Sequence, residues 1–304
     1  MKQHTMDLAK VRAFGNIEFL ARQLVEGFIT GLHKSPFHGF SVEFAEHKRY
    51  NTGESTRNID WKVMAKTDKL FVKRYEEETN LRCHILLDIS SSMYYPIDTH
   101  GKITFSTLAA ASLTYLLQKQ KDAVGLCTFA DDIKLQTPVK STPSHAHTLM
   151  LELESIPNKV PERSSTQVAS VLHQIAEKIH KRSLVIIFSD MFTQADQTDD
   201  LFSALQHLKH KLHEVLLFHV TDHKTEQDFA FENRPYEFID LETGERIKLQ
   251  ADQVRSSYQK ASKTYYEDLK LRCGQYKIDF IEADIDKGVE PILTAYLAKH
   301  SKMH

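Results

Sequence analysis

A chain of 304 residues has room for one large α/β domain, or for a core with an appendage. At that size roughly 75% of the unfolded surface is buried on folding, so stability requires neither disulfides nor a structural zinc. Hydrophobic residues at 41% and charged residues at 26% exclude a largely disordered, collagenous or coiled-coil chain, and a formal charge of -2 argues against nucleic acid or an anionic membrane as a bulk electrostatic partner.

The chain opens with MKQHTMDLAKVRAFGNIEFL, which carries charges throughout and lacks the apolar centre of a signal peptide. A helix is predicted over residues 11–32, followed to residue 80 by short strands and turns, with Thr52-Gly53 marking one bend. From there the pattern changes. Runs rich in branched residues stand at 81–89 (LRCHILLDI), 123–129 (AVGLCTF), 183–188 (SLVIIF), 214–220 (EVLLFHV) and 278–283 (IDFIEA). Because they are apolar on both faces, they predict strands of a parallel sheet covered on each side. Helices are predicted between them, over 103–119, 166–180, 199–212, 252–273 and 291–299. The first is apolar almost all round, so it should be deeply buried. This alternation predicts βαβ units with right-handed crossovers. Within 223–250 the segment EFIDLETGERIKL reads as an inserted hairpin turning at Thr243-Gly244. The expected organisation is an N-terminal α+β extension over 1–80 and an α/β domain over 81–304.

Cys83, Cys127 and Cys273 are odd in number and far apart, which reads as buried thiols of a reducing compartment. The longest uncharged apolar-rich run, 103–118, is 16 residues with five Ser and Thr, a poor candidate to span a bilayer. The expectation is a cytoplasmic protein without a transmembrane segment.

The most informative segment is Asp88-Ile89-Ser90-Ser91-Ser92, an acid at the end of an apolar strand followed by hydroxyls at the second and fourth positions. In an open parallel sheet, ligands bind beyond the carboxyl ends of strands where the strand order reverses. Ser189-Asp190 repeats the arrangement after SLVIIF, and Thr166 stands at the start of its helix after Ser164-Ser165. Asp88, Ser90, Ser92, Thr166 and Asp190 together offer two carboxylates and three hydroxyls, an all-oxygen set suited to Mg²⁺ or Mn²⁺ with retained waters. Taken alone, Asp-x-Ser also ends strands and caps helices without any ligand.

Other motifs lead nowhere. Gly101-Lys102-Ile103-Thr104 has the end of a P-loop, but Pro96 stands at its first glycine position and no Ser or Thr follows Lys102 directly. Gly39-Phe40-Ser41-Val42-Glu43 lacks the last glycine of a nucleophile elbow. His207, His210 and His213 read as ordinary surface histidines along one helix edge. Residues 47–75 hold eight Lys and Arg against three Asp and Glu. Of these, Arg49, Arg57, Asp60 and Trp61 are candidates for a partner contact, although Glu76, Glu77 and Glu78 can neutralise the cluster.

Asp88-x-Ser90-x-Ser92 with Thr166 and Asp190 resembles the metal-ion-dependent adhesion site of von Willebrand factor A-type domains. Phe37-His38-Gly39-Phe40, Arg49-Tyr50, Arg57, Ile59-Asp60-Trp61, Glu242-Thr243-Gly244-Glu245 and Val254-Arg255-x-x-Tyr258 further resemble a bacterial family known only as domain of unknown function fifty-eight. The resemblance implies a von Willebrand factor A-like, Rossmann-like sheet of six mostly parallel strands with helices on both faces. One antiparallel edge strand is expected, and residues 131–139 (DDIKLQTPV) fit it. It also implies that Ser90, Ser92 and Thr166 are ligands, with Asp88 and Asp190 holding the ion directly or through water. The loop before Thr166 departs from the pattern, with Ser164-Ser165 in place of Gly-Gly, and Glu54 stands where the family has Asp.

The function so implied is a metal-dependent protein-protein interaction module. Its partner donates an acidic side chain to the ion and is a MoxR-type AAA+ ATPase or its client, in chaperone-like assembly. Two alternatives stand beside it. One is a Mg²⁺-dependent phosphatase or other hydrolase with Asp88 as nucleophile, though Ser90 occupies the place of the usual second acid and no Lys or His is evident nearby. The other is a structural domain with a vestigial metal site. No catalytic constellation is read, so the chain is expected not to be an enzyme.

Overall fold

The structure is a computed structural model that describes residues 7–33, 47–49, 64, 71–73, 81–159, 167–191 and 198–303. Residues 1–28 and 81–304 form one unit, and residues 29–80 a second. The second unit contains an antiparallel pair, β1 (His47–Arg49) and β2 (Phe71–Lys73), with Lys48 opposite Val72.

The single N-terminal helix expected over 11–32 is two, α1 (Leu8–Phe14) and α2 (Ile17–His33). Gly15 causes the break: its φ of 65° closes α1 in the left-handed region, where glycine pays no side-chain penalty. Asn16 then starts α2 by accepting the Phe19 N–H at 2.9 Å. Ile17, Ala21 and Val25 bury one stripe of α2 at a spacing of four.

The branched apolar runs form the sheet as expected. It contains β3 (Arg82–Asp88), β4 (Ala123–Phe129), β5 (Ile133–Gln136), β6 (Leu184–Ser189), β7 (Glu214–Thr221) and β10 (Asp279–Asp284). The spatial order is β10-β7-β6-β3-β4-β5, parallel throughout except for β5 against β4. This is the expected six-stranded, mostly parallel sheet with one antiparallel edge. The edge strand is shorter than 131–139 because a bulge at Thr128/Phe129 interrupts pairing and Pro138 follows. Its alternating half-buried and exposed residues mark an edge with one wet face. The order reverses between β3 and β6, so the switch point lies at their carboxyl ends.

Five helices complete the layers after α3 (Gly101–Lys119): α4 (Pro143–Ser155), α5 (Val168–Lys178), α6 (Thr198–His210), α7 (Ala251–Gln275) and α8 (Glu290–Met303). Of the 19 residues of α3, 16 are buried. Its hydroxyls tolerate this by bonding back along the helix, Thr107 to Ile103 O at 3.0 Å and Ser112 to Leu108 O at 2.8 Å. On the other face, Val171, Leu172 and Ile175 of α5 and Leu201, Leu205 and Leu208 of α6 meet Leu86, Val185 and Leu217 of the sheet. Each fully buried Leu or Ile contributes about 1.5–3 kcal/mol.

Between β7 and β10 lies a single π-helical turn, His223–Gln227, which the sequence pattern did not signal. The expected hairpin follows as β8 (Pro235–Ile239) and β9 (Arg246–Gln250), with Phe238 opposite Ile247. Gly244 at φ 76° supplies its turn. All three cysteines are buried and unpaired. Among the described residues, no helix is long and apolar enough to cross a membrane.

Candidate functional site

The parallel register of β3 and β6 sets Leu87 opposite Phe188, so Asp88 and Ser189 leave the sheet side by side. Asp88 is fully buried. One carboxylate oxygen accepts the Ser90 N–H at 2.9 Å, and the other accepts the Ser189 hydroxyl at 2.6 Å. The chain then enters a 3₁₀ turn, Ser91–Tyr94, which brings the Ser90 and Ser92 hydroxyl oxygens 3.1 Å apart. Adjacent ligands of an octahedral ion at ~2.1 Å stand about 3 Å apart, so these two oxygens have the spacing of one edge of a Mg²⁺ shell.

Asp190 reaches the same place through a constrained turn. The residue after it, Met191, is buried with φ of 49°, a conformation non-glycine residues adopt rarely. Three contacts hold it there: its N–H donates to Ser189 Oγ at 2.9 Å, its carbonyl accepts the Tyr265 hydroxyl at 2.5 Å, and its side chain is in the core.

Behind Asp190 stands a residue that sequence reasoning set aside. Lys102, in the first turn of α3, is 1% exposed, and its Nζ lies 2.8 Å from Asp190 Oδ2 and 2.5 Å from Glu226 Oε1. The other oxygen of Glu226 accepts the Asp222 N–H at 2.8 Å. The expectation that no Lys or His lies near the site is therefore corrected. Residues 103–118 contain no charge, and a lone Lys at the head of such a run was the available signal. A histidine is close too: His219 on β7 pairs in register with Ser189. Burial pushes its pKa down to about 4, so it adds no cation.

Burial raises the Asp88 carboxyl to about 7, and the charge of Asp190 adds to the effect. Burial also raises Glu226, opposed by the Lys102 charge and reinforced by Asp190. Burial alone lowers Lys102, but Asp190 and Glu226 more than reverse this and leave it raised. Three carboxylates (Asp88, Asp190, Glu226) against one ammonium (Lys102) give the ionised group a net charge of -2, the charge that one divalent cation balances. Among the described residues, no three His, Cys, Asp or Glu side chains cluster to hold a metal, so a cation here depends on the serine hydroxyls. The donors present fit a hard ion that keeps several waters.

Of the residues singled out from sequence, the structure thus brings Asp88, Ser90, Ser92 and Asp190 to one end of the sheet. Thr166 lies outside the described residues. Its neighbour Gln167 donates its N–H to Ala130 O, just beyond β4, at 3.4 Å. Arg49 ends β1, while Arg57, Asp60 and Trp61 lie outside the described residues. The surface reading of the three histidines is corrected at His213, which is fully buried and accepts the Ser183 N–H at 3.3 Å. His207 instead bridges helices, 3.0 Å from His173 and 2.9 Å from Glu177.

Gly101, the glycine of the P-loop-like string, serves packing. A Cβ there would meet Pro96 Cδ at 2.7 Å and Ile285 Cδ1 at 3.1 Å. We expect Gly101→Ala to force the head of α3 outward and cost about 1–3 kcal/mol, as overpacking does, read as a lower thermal midpoint.

Residues 46–267 match the family described as Protein of unknown function DUF58. Uncharacterized protein Rv1480 of Mycobacterium tuberculosis is 22% identical over 178 residues, covering 59% of this chain and 56% of the relative. Mb1516 of Mycobacterium bovis matches equally, so the chain spans 56% of the length of these curated relatives. Among solved structures, BatB from Bacteroides thetaiotaomicron is similar at 16% identity and a TM-score of 0.46, covering 73% of this chain and 98% of its own. The SpRpn10 VWA domain is similar at 13% identity and a TM-score of 0.37, covering 71% of this chain and 94% of its own. With 222 consecutive residues matched (46 through 267), the chain belongs to the DUF58 family.

Proposed function

We propose that the chain is a protein-interaction module whose binding end is the carboxyl edge of β3 and β6, and that it engages its partner through a divalent cation. The observation that carries this reading is the convergence of Asp88, Ser90, Ser92 and Asp190 at the switch point. Mg²⁺ or Mn²⁺ is the suitable ion, held by Ser90 and Ser92 with Asp88 and Asp190 directly or through water, and with Thr166 as the fifth candidate. When bound, the ion supplies a positive charge able to take one further anionic oxygen. The chain's own residues exclude solvent around Asp88 and fix the two hydroxyls. A partner Asp or Glu is the complementary group, since charge-assisted contacts confer both strength and specificity. The family resemblance supports a MoxR-type AAA+ ATPase or its client as that partner, and the three free thiols support a reducing, cytoplasmic setting.

The hydrolase reading gains little from Lys102. A general acid works best with a pKa near the operating pH, whereas Lys102 is raised by the two carboxylates that hold it. Ser90 occupies the place of a second acid.

Calorimetric titration with Mg²⁺ and Mn²⁺ tests the reading, on wild type, Asp88→Ala and Ser92→Ala, each checked for fold by circular dichroism. Saturable binding by wild type, abolished in Asp88→Ala and weakened in Ser92→Ala, is expected. Capture of the purified MoxR-type ATPase should then require both wild-type Asp88 and Mg²⁺. Equal recovery with Mg²⁺, with chelator and with Asp88→Ala overturns the metal-dependent mode.

A further inference from the structure

We infer that Lys102 and Glu226 are positioning residues of the cation site, and that through them occupancy of the site is transmitted to the connection between β7 and β8. The inference rests on the cation reading above.

Lys102 is wedged between two carboxylates of different kinds. Asp190 follows Ser189, whose hydroxyl donates to Asp88, and Glu226 belongs to the connection that leaves β7, where its other oxygen accepts the Asp222 N–H. A cation drawing on Asp190 competes with the ammonium for that charge, and the ammonium then leans on Glu226. Groups behind a metal ligand that fix its orientation commonly change metal affinity by about 10–100-fold when altered. Lys102 meets this description directly, and Glu226 meets it through Lys102.

Glu226 is also well placed to pass the effect on. It belongs to the π-helical turn His223–Gln227, closed by the Asp228 N–H on His223 O at 2.9 Å. Such widened turns are rare and concentrate at functional sites. Thr225, beside it, donates to Asp222 Oδ2 at 2.9 Å, and the Tyr95 ring covers Lys102 Nζ at 5.9 Å. From residue 226 to 231 no sheet ladder fixes the backbone. Side chains of α7 hold it instead: Gln259 donates to Asp228 O at 2.7 Å, and Arg255 to Phe229 O at 3.3 Å and Phe231 O at 2.7 Å. Phe229 lies three residues after Glu226, and its ring meets those of Phe231, Phe238 and Tyr258 with centroids 4.9, 5.7 and 4.6 Å away. A displacement of Glu226 therefore reaches an aromatic cluster that lies on the insertion and α7.

Hydrogen–deuterium exchange on the full chain tests this, with chelator and with saturating Mg²⁺, for wild type, Lys102→Met and Glu226→Gln. Calorimetry gives the Mg²⁺ affinity of each. In wild type, Mg²⁺ should change protection of amides within 222–234. Glu226→Gln keeps shape and keeps Lys102 beside Asp190; it should weaken Mg²⁺ binding about tenfold and lose the change at 222–234. Should Lys102→Met fail to fold, Glu226→Gln decides the matter. Wild type that binds Mg²⁺ without any change at 222–234 overturns the coupling and leaves the cation reading intact. Glu226→Gln with wild-type affinity and a wild-type exchange response does the same. Wild type that binds neither Mg²⁺ nor Mn²⁺ overturns both.

Discussion

Lys102→Met should lower the thermal midpoint by about 6–10 °C. Removing one partner of a buried ion pair costs about 3–5 kcal/mol, because the charge left behind is neither solvated nor paired. For a chain of 304 residues each kcal/mol moves the midpoint by about 2 °C. Lys102 is 1% exposed and Asp190 8%, so solvent screens their contact little. Asp190 and Glu226 would then face each other without a cation between them. The cost belongs to the orphaned charges and not to the ammonium, so the triple change Lys102→Met, Asp190→Asn, Glu226→Gln should recover most of the loss. Differential scanning calorimetry on the single and triple variants checks this; equal instability in both would mean that packing around the lysine stem, and not charge, sets the effect.

The pH dependence of stability should run opposite to that of a protein held by exposed salt bridges. The Asp88 carboxyl titrates at about 7 in the folded chain against an ordinary value of 3.8, because burial and the Asp190 charge disfavour its ionised form. Between those values the folded state binds more protons than the unfolded state. Stability therefore falls as pH rises through the window, by at most about 1.4 kcal/mol per pH unit from this group. Glu226, also raised, acts in the same direction. Carboxylates held low, such as Glu214 with Lys299 and Lys209, act oppositely. The informative quantity is thus the difference between wild type and Asp88→Asn, measured by urea unfolding at pH 5, 6 and 7 in chelator. That difference should shift toward Asp88→Asn as pH rises. On the proposed cation reading, Mg²⁺ should reverse the trend for wild type, since an ion held there would favour the ionised carboxylate. A difference that stays flat across the window would place the Asp88 carboxyl in its ordinary range.

Much of this was legible in the sequence because it depends on patterns within short stretches. The run AVGLCTF is β4 at the residues expected, and the all-round apolar character of 103–119 gives a helix with 16 of 19 positions buried. Asp88-x-Ser90-x-Ser92 was readable because strand-end spacing is local, and Asp190 because it follows a second strand of the same type. Lys102 was not, since its partners lie 88 and 124 residues away and only tertiary folding shows that the cation is enclosed by them. Periodicity also carried the N-terminal helix straight through Gly15, where backbone conformation and not hydrophobicity ends α1. His213 escaped for a related reason: it follows the helix-edge series but belongs to the loop that enters β7, where it meets Ser183 inside the protein.

The near-complete enclosure of α3 has one last mechanical consequence. A helix wrapped on all sides can neither fray nor slip by a turn without emptying the middle of the molecule, so Lys102 stands on an unyielding post. At its far end the Gln120 side chain accepts the Tyr296 hydroxyl at 2.8 Å, which anchors the post to α8. On the proposed cation reading, any give on binding would come from the opposite side, where Glu226 rides on one short turn with no buried residue in it. The compliance of this end of the protein is then one-sided, and that side leads along the chain into the hairpin of β8 and β9.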